Sequence, residues 1–154
     1  MFDAELVLID GTINLTGNTD TPATSTTVNA TYGCAVVDIG AGGTPADGLV
    51  AVLMLPTAAV ALSTLTGFIE ASDTEDMTAT TTGITELGKF GIANATKGII
   101  VATEVTAAKV PIFVILRFST DKRYIRANLT VNGTTEYNFY KVKCYLEPYA
   151  FRTM

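Results

Sequence analysis

Histidine and tryptophan are absent from this sequence of 154 residues, and charged side chains make up only 16% of it. Without histidine, the chain has no Ser-His-Asp triad, no Cys-His pair and no histidine-ligated metal site. The composition therefore argues against an enzyme. We assign no catalytic, cofactor-binding or metal-ligating residue, and we expect no cofactor.

Cysteine is also scarce, since Cys34 and Cys144 are the two in the chain, and they lie too far apart to form a CxxC pair. Acidic Asp3 and Glu5 precede the first apolar stretch, and the first basic residue is Lys89, so the pattern of a secretory signal peptide is missing. We therefore expect synthesis in the cytoplasm without a signal peptide. In that reducing compartment, both cysteines are predicted to be separate, buried thiols.

One long stretch without charge, Gly48–Ile69, invites comparison with a membrane span. Pro56 interrupts it, acidic Asp47 and Glu70 flank it, and no adjacent lysine or arginine could anchor it at a membrane surface. We interpret the stretch as two buried segments separated at the proline. No membrane interaction is expected.

Charge is unevenly distributed along the chain. Residues 1–108 carry twelve acidic and two basic side chains, whereas residues 109–154 carry three acidic and eight basic ones. Because the net charge is −5, the protein lacks the dominant basic field that nucleic-acid binding needs. An acidic and a basic surface on one small protein would favour docking between copies or with a partner. The alternative, that both surfaces are simply solvated, stays open.

Alternation of apolar and polar side chains with a period of two runs along much of the chain, which also contains 26 threonines. Both features are typical of β-strands. Strands are predicted over Ala4–Ile9, Val28–Ile39, Leu49–Leu55, Gly67–Ala71, Gly98–Val105, Pro111–Phe118, Tyr124–Asn132 and Tyr140–Leu146, with a short helix possible over Thr57–Leu65. About eight short strands predict an all-β fold, a single domain over residues 1–154. An antiparallel β-sandwich with jelly-roll topology is the preferred architecture.

The clearest alternation predicts a β-hairpin near the C-terminal end. Asn132-Gly133 supplies the turn between the strand from Tyr124 and the next strand. The predicted inner face carries Ile125, Ala127, Leu129 and Val131 on the first strand, and Tyr140, Val142, Cys144 and Leu146 on the second. The predicted outer face is basic and aromatic, with Lys141, Lys143 and Tyr145 on the second strand and Arg126, near Arg123, on the first.

Three predicted strand segments do not fit an isolated sandwich, in which each strand shows a polar outer face. Pro111–Phe118 is apolar on both faces, with Phe113 and Ile115 on one side and Ile112, Val114, Leu116 and Phe118 on the other. Leu49–Leu55 and Gly98–Ala102 have the same character. Either loops or the short helix of the same chain cover these outer faces, or a second subunit or a partner does. We therefore expect a homo-oligomer, with a dimer favoured and a trimer next.

Two motifs resemble ligand sites but lack their defining residues. Gly40–Pro45 is glycine-rich but has no Gly-Lys-Ser/Thr, and Pro45 blocks the helix that would hold a phosphate. Asp73, Glu75 and Asp76 lack the spacing of a calcium loop. We interpret the first as a glycine turn and the second as an acidic turn.

Four stretches, in this order and spacing, resemble the capsid cement (decoration) proteins of short-tailed bacteriophages. They are Phe2–Leu8, Val37–Pro45, Leu65–Met77 and Arg123–Thr134. The resemblance implies a jelly-roll protein on the outer surface of the virion that stabilises the icosahedral head by bridging capsomers of the major capsid protein. The aromatic and basic region Tyr137–Phe151 departs from what the family leads us to expect.

Within this reading, the basic residues of the predicted hairpin are the candidates for docking on an acidic capsid surface: Arg123, Arg126, Lys141 and Lys143. Two alternatives stay open. The chain could be another structural module of a virion, such as a fibre or adaptor domain. It could also be the carbohydrate-binding sandwich of an adhesin, for which Tyr137, Tyr145 and Tyr149 are the candidate stacking residues.

Overall fold

A computed structural model of the protein describes residues 6–12, 14–16, 19–20, 23–27, 33–58, 63–78, 83–91, 99–101, 105, 111–133 and 137–148. These residues contain thirteen strands: β1 (Val7–Asp10), β2 (Leu15–Thr16), β3 (Thr19–Asp20), β4 (Val37–Asp38), β5 (Leu49–Leu55), β6 (Thr57–Ala58), β7 (Thr64–Ser72), β8 (Thr85–Phe90), β9 (Ile99–Val101), β10 (Ile112–Phe118), β11 (Tyr124–Asn132), β12 (Tyr137–Tyr140) and β13 (Lys143–Pro148).

The strands form three sheets, and every strand pair is antiparallel. The four-stranded sheet has the order β1-β13-β5-β10. The six-stranded sheet has the order β3-β11-β7-β8, with β4 also paired to β11 and β9 to β7. The three-stranded sheet has the order β2-β12-β6. The predicted all-β, antiparallel fold is confirmed at this level.

The two larger sheets contribute to one hydrophobic core. Ala51, Leu53 and Leu55 of β5 are fully buried, and every second residue of β11 from Ile125 to Val131 is fully buried as well. All of them belong to a single cluster of buried side chains. Gly88 of β8 lies against Leu116 of β10, because a Cβ on Gly88 would sit 2.9 Å from a Leu116 methyl group. The missing side chain therefore makes room where the two sheets meet.

Several predicted strands are confirmed with their bounds. The predicted strands Leu49–Leu55 and Tyr124–Asn132 are β5 and β11, and predicted Gly67–Ala71 is the centre of the longer β7. Predicted Val28–Ile39 contains only β4 in its described part, while residues 28–32 lie outside the described residues. Five strands were not predicted: β2, β3, β6, β8 and β12. Three of them, β2, β3 and β6, have two residues each, too few to show a periodic pattern.

The predicted C-terminal hairpin is wrong. β11 pairs with β7 along its whole length, and β3 and β4 occupy its other edge. The chain after β11 instead joins different sheets, since β12 pairs with β2 and β6, and β13 pairs with β1 and β5. The alternation correctly shows which side chains point inwards, as the burial of Val142, Cys144 and Leu146 confirms. It carries no information about which strand is the neighbour.

The short helix predicted over Thr57–Leu65 is also wrong in its described parts. Thr57 and Ala58 form β6, and β7 already begins at Thr64, while residues 59–62 lie outside the described residues. Alanine favours helix intrinsically, but Ala58 pairs with Phe139 of β12 and is buried. Tertiary pairing thus overrides the local preference.

The glycine-rich segment is a turn, as predicted. Gly40, Gly42 and Gly43 have backbone φ angles of 90°, 99° and 75°, which residues other than glycine rarely adopt. A Cβ on Gly43 would lie 2.1 Å from the carbonyl oxygen of Thr120. The Thr44 N–H donates a hydrogen bond to that same oxygen at 2.9 Å. Gly43 therefore permits the close approach of two backbone segments, whereas Gly40 and Gly42 serve the positive φ angles of the turn.

Both cysteines are buried free thiols, as predicted. They lie on opposite sides of the same residue, because Ile9 of β1 pairs with Cys144 of β13 on one edge and bridges to Cys34 on the other. Two strand spacings place their Cα atoms roughly 9–10 Å apart, beyond the reach of about 7 Å for a disulfide. Burial raises the pKa of both thiols above the ordinary value.

Candidate interaction surface

The outer face of the four-stranded sheet is apolar. On β10, Phe113 and Ile115 point away from the core and are 54% and 67% exposed. On β5, Val50, Val52 and Met54 point the same way, because their neighbours Ala51, Leu53 and Leu55 fill the core. We call this surface the apolar face, and it consists of Val7, Val50, Val52, Met54, Phe113, Ile115 and Tyr145.

The register of the four strands arranges the apolar face in rows across the sheet. One row runs Asp10, Lys143, Met54, Phe113, the next runs Val7, Tyr145, Val52, Ile115, and the third runs Glu147, Val50, Arg117. Side chains directly opposite one another on antiparallel strands have Cβ atoms about 4.5–5.5 Å apart. The rows therefore form one continuous patch with charged residues at its corners.

An open groove of about 380 Å³ crosses the β1 side of the apolar face. Its apolar walls include Ile9, Met54 and Phe113, and the neighbouring Asp10 and Lys143 add charged side chains to its lining. The half-buried Tyr145 also lines it, and burial together with the nearby Glu147 carboxylate raises the pKa of this phenol. An apolar side chain of another molecule could fill this groove in the apolar face.

The third row carries opposite charges on either side of Val50. Arg117 of β10 and Glu147 of β13 are both exposed and both point outwards. The Arg117 guanidinium also donates a hydrogen bond to the Asp47 carbonyl oxygen at 3.2 Å, which holds it beside the sheet. This edge of the apolar face therefore has one cation and one anion in a fixed order.

The two predicted docking lysines lie together at the other end of the sheet. Lys141 and Lys143 are exposed and line the same open depression, beside Asp10 and Gly11. Lys141 lies between β12 and β13 with a φ of 48°, a left-handed conformation, and its N–H donates to the Asn14 side-chain oxygen at 3.1 Å. We call Lys141 and Lys143 the basic end.

Arg123, the third predicted docking residue, lies away from the basic end, just before β11 of the six-stranded sheet. Its guanidinium makes two hydrogen bonds to the Asp38 carboxylate, at 2.9 and 2.6 Å. The guanidinium and the Gly40 N–H lower the pKa of that carboxylate to about 2. The Arg123 guanidinium also lies 5.1 Å from the centre of the Tyr124 ring. Arg123 is half exposed but already paired within the chain.

Arg126, the fourth predicted docking residue, is not on the surface, and the prediction that it lies on an exposed outer face is wrong. It is 3% exposed. Its guanidinium donates to the Glu70 carboxylate at 2.7 Å, to the Ala23 carbonyl oxygen at 3.0 Å, and to the Met77 carbonyl oxygen. The segments that carry Ala23 and Met77 lie over the outer face of β11, so Arg126 holds them there.

The exposure of Phe113 and Ile115 follows the sequence pattern, and the two-sided apolar character of Leu49–Leu55 was also predicted, but the contributions of β1 and β13 to the face were not. The signal for β5 was present, because Leu49–Leu55 is apolar at every position and hence on both of its faces. Nothing in the sequence pairs β13 with β5, so the place of Tyr145 and Lys143 beside Val52 and Met54 could not be found.

The acidic side chains of the predicted turn pair with other residues of the same chain. Lys122 Nζ lies 2.5 Å from Asp73, the Thr26 hydroxyl donates to Glu75 at 2.7 Å, and the Thr78 N–H donates to Asp76 at 3.1 Å. Across the described residues, no group of three or more cysteine, aspartate or glutamate side chains is placed to hold a metal ion. Within the same part of the chain, no helix is long and apolar enough to cross a membrane.

Among the candidate sugar-stacking tyrosines, Tyr145 belongs to the apolar face, while the Tyr137 side chain and Tyr149 lie outside the described residues. No protein-family model, curated protein or solved structure matches the chain.

Proposed function

We propose that this protein is a bacteriophage capsid cement protein with a jelly-roll sandwich fold. It binds the outside of the icosahedral head and stabilises the head by bridging capsomers of the major capsid protein. The observation that carries this proposal is the apolar face, a broad surface on which Phe113 and Ile115 are more than half exposed. Exposed apolar surface of this kind marks contact with another protein.

Charge near the apolar face gives the proposal its second support. The basic end, Lys141 and Lys143, lies at the margin of the sheet and is exposed. Exposed lysines attract an acidic protein surface and speed the encounter with it, although each contact is worth little free energy on its own. We therefore assign the basic end, rather than Arg123 or the buried Arg126, to docking on the capsid.

Cementing requires more than one contact per assembly. A homo-oligomer that engages two capsomers at once gains avidity through effective concentration, on the order of 100-fold or more over a single contact. Loosening the shell then also requires breaking the contacts of the cement protein. Homo-oligomerisation and capsid binding are thus two parts of one proposed mechanism, served by the apolar face and by the basic end, whose Lys143 also lies in the first row of that face.

The function is tested by titrating the purified protein onto phage heads. The heads come from the phage that encodes this protein and are first stripped of their cement protein. We expect saturable binding in sedimentation, density on the outer surface in electron microscopy, and release of packaged DNA at a higher temperature. Absence of binding to these heads would overturn the proposed function.

The docking site is tested with the variant Lys141→Ala/Lys143→Ala, with Lys89→Ala of β8 as the control. Because exposed charges are screened by salt, the double variant should lose affinity more at about 0.05 M than at about 0.5 M ionic strength. The control should bind like the wild type. Wild-type affinity of the double variant at both ionic strengths would overturn the site. The oligomeric state of each variant is measured first, so that lost docking is separated from lost assembly.

A further inference from the structure

We propose that a second copy of this chain covers the apolar face. The two copies are related by a two-fold axis that lies between their four-stranded sheets and runs parallel to β5. The identity of the partner rests on the pattern of side chains on the face. The direction of the axis rests on the proposed function, because two directions satisfy the charges and only one suits bridging.

The size of the face suits a small interface. Four strands about 4.8 Å apart and seven residues at about 3.4 Å each span roughly 19 by 24 Å. That area of roughly 460 Å² on each partner lies below the roughly 600 Å² or more of stable interfaces and in the range of weak, transient ones. An interface of this size and apolar character predicts a dimer that dissociates reversibly when the protein is diluted into the micromolar range.

The rows of the face are complementary to themselves under the proposed axis. Rotation about an axis parallel to β5 places β10 of one copy over β13 of the other. Arg117 then faces Glu147 of the second copy, and this happens twice, once on each side of the axis. Along the axis, the partly exposed Val50 and Met54 meet their own counterparts, while Val52 between them is already buried. Both corner charges of the third row are thereby matched by opposite charge.

The apolar rows match in the same way. Ile115 lies over Tyr145 of the second copy, and Phe113 lies over the stem of its Lys143. An aromatic ring beneath a lysine stem tolerates the nearby ammonium group, which reaches the solvent at the edge. Phe113 and Ile115 thus lose the exposure that they have in the single chain.

A second axis direction also matches charges. Rotation about an axis perpendicular to the strands would place Lys143 over Glu147 of the second copy and Arg117 over its Phe113. That dimer would point its two basic ends in opposite directions. The parallel axis keeps both basic ends on the same side of the dimer, so that one dimer can touch two places on a capsid surface, as the proposed function requires.

Dimerisation is tested in solution with the full chain and without heads. Sedimentation equilibrium from about 1 to 200 µM should show a reversible monomer–dimer equilibrium, in the range expected for a small interface. Ile115→Ser should raise the dissociation constant at least about tenfold, because it replaces the most exposed large apolar side chain of the face with a small polar one. A monomer for the wild type throughout this range, or an unchanged dissociation constant for Ile115→Ser, would overturn the proposal.

Exchanging the charges of Glu147 and its proposed partner distinguishes the two directions of the two-fold axis. Glu147→Arg should weaken the dimer, whereas Glu86→Arg, the same change on β8, should leave it unchanged. The double variant Arg117→Glu/Glu147→Arg should restore the dimer if the axis is parallel to β5. Restoration by Lys143→Glu/Glu147→Lys instead would overturn the direction of the axis and keep the partner. Equal weakening by Glu147→Arg and Glu86→Arg would overturn the assigned surface.

Head binding does not enter these measurements, so the two proposals fail separately. A dimer that binds no heads would overturn the proposed function alone. Heads that bind a protein with no measurable self-association would overturn the dimer and bridging by two copies, whereas binding to the capsid would stand. Unfolding curves of each variant show that it is folded, and the restoring double variants show that a loss of association is specific.

Discussion

The outer faces of the two larger sheets differ in a way that reverses the usual rule of polar outside and apolar inside. On the six-stranded sheet, the outward side chains Glu70, Arg126 and Asn128 are polar, yet Arg126 is buried beneath neighbouring segments. On the four-stranded sheet, the outward side chains Phe113 and Ile115 are apolar, yet they are more than half exposed. The polarity of a strand face and its exposure are therefore separate properties.

The difference comes from what lies over each sheet. The covering segments of the six-stranded sheet present backbone carbonyl oxygens, from Ala23 and Met77, and a buried cation satisfies them where an apolar side chain could not. In the described part of the chain, no comparable segment lies over Phe113 and Ile115, and an apolar surface is suited to a cover made of side chains. The first face is closed by its own chain, and the second is proposed to be closed by another copy.

The largest expected effect is on the closed face. Arg126→Met leaves the Glu70 carboxylate and the Ala23 and Met77 carbonyl oxygens without their donor. Breaking a buried ion pair in this way should lower the free energy of unfolding by about 3–5 kcal/mol, measured by urea denaturation. Because the remaining buried charge causes much of the loss, Arg126→Met/Glu70→Met should recover part of it.

Arg123→Met is the matched control for this prediction. It removes the same side chain three positions away, from an ion pair with Asp38 that is open to solvent. The loss of stability should be much smaller, because water solvates the carboxylate that is left behind. Equal destabilisation by the two substitutions would show that Arg126 is not a buried anchor.

The next effect compares the two sides of the four-stranded sheet. Leu53→Ala empties part of the core and should cost about 2–5 kcal/mol of unfolding free energy. Ile115→Ala removes an exposed side chain and should change it by no more than about 0.5 kcal/mol, provided that the protein is diluted below the dissociation constant of the dimer. A large loss for Ile115→Ala under these conditions would mean that a segment of the same chain covers it.

These contrasts show what the sequence could predict. The alternation along β11 and β13 predicts burial of Ile125 and Cys144, because side-chain direction in a strand depends only on position. It could not predict that Arg126, which alternates outwards, is covered by segments remote in sequence. Nor could it pair β13 with β5, since strand neighbours depend on the whole topology. The apolar face was accordingly predicted in part, from β10 and β5. The docking site was predicted with Lys141 and Lys143, which form the basic end, and with Arg123 and Arg126, which lie elsewhere.

Thiol labelling follows opening of the four-stranded sheet separately from global unfolding. Both cysteines flank Ile9 and have raised pKa values, so they should react with a thiol reagent many times more slowly than free cysteine at neutral pH. After denaturation, mass spectrometry should show both labelled. Absence of label on the denatured protein would indicate a disulfide and contradict the separation of the two residues by β1.

The smallest effect concerns Asp38, beside the six-stranded sheet. Its pKa is lowered to about 2 by the Arg123 guanidinium and the Gly40 N–H, from an ordinary value of 3.8. A carboxylate whose pKa is lowered by folding adds stability above its ordinary pKa, and that contribution is lost as the pH falls from about 4 through 2. Carbon-detected NMR titration should place the Asp38 midpoint near the lower value, and Arg123→Gln should move it towards the ordinary one. A midpoint that does not move would mean that the Gly40 N–H alone stabilises the carboxylate, and Arg123 would then be free to bind a partner.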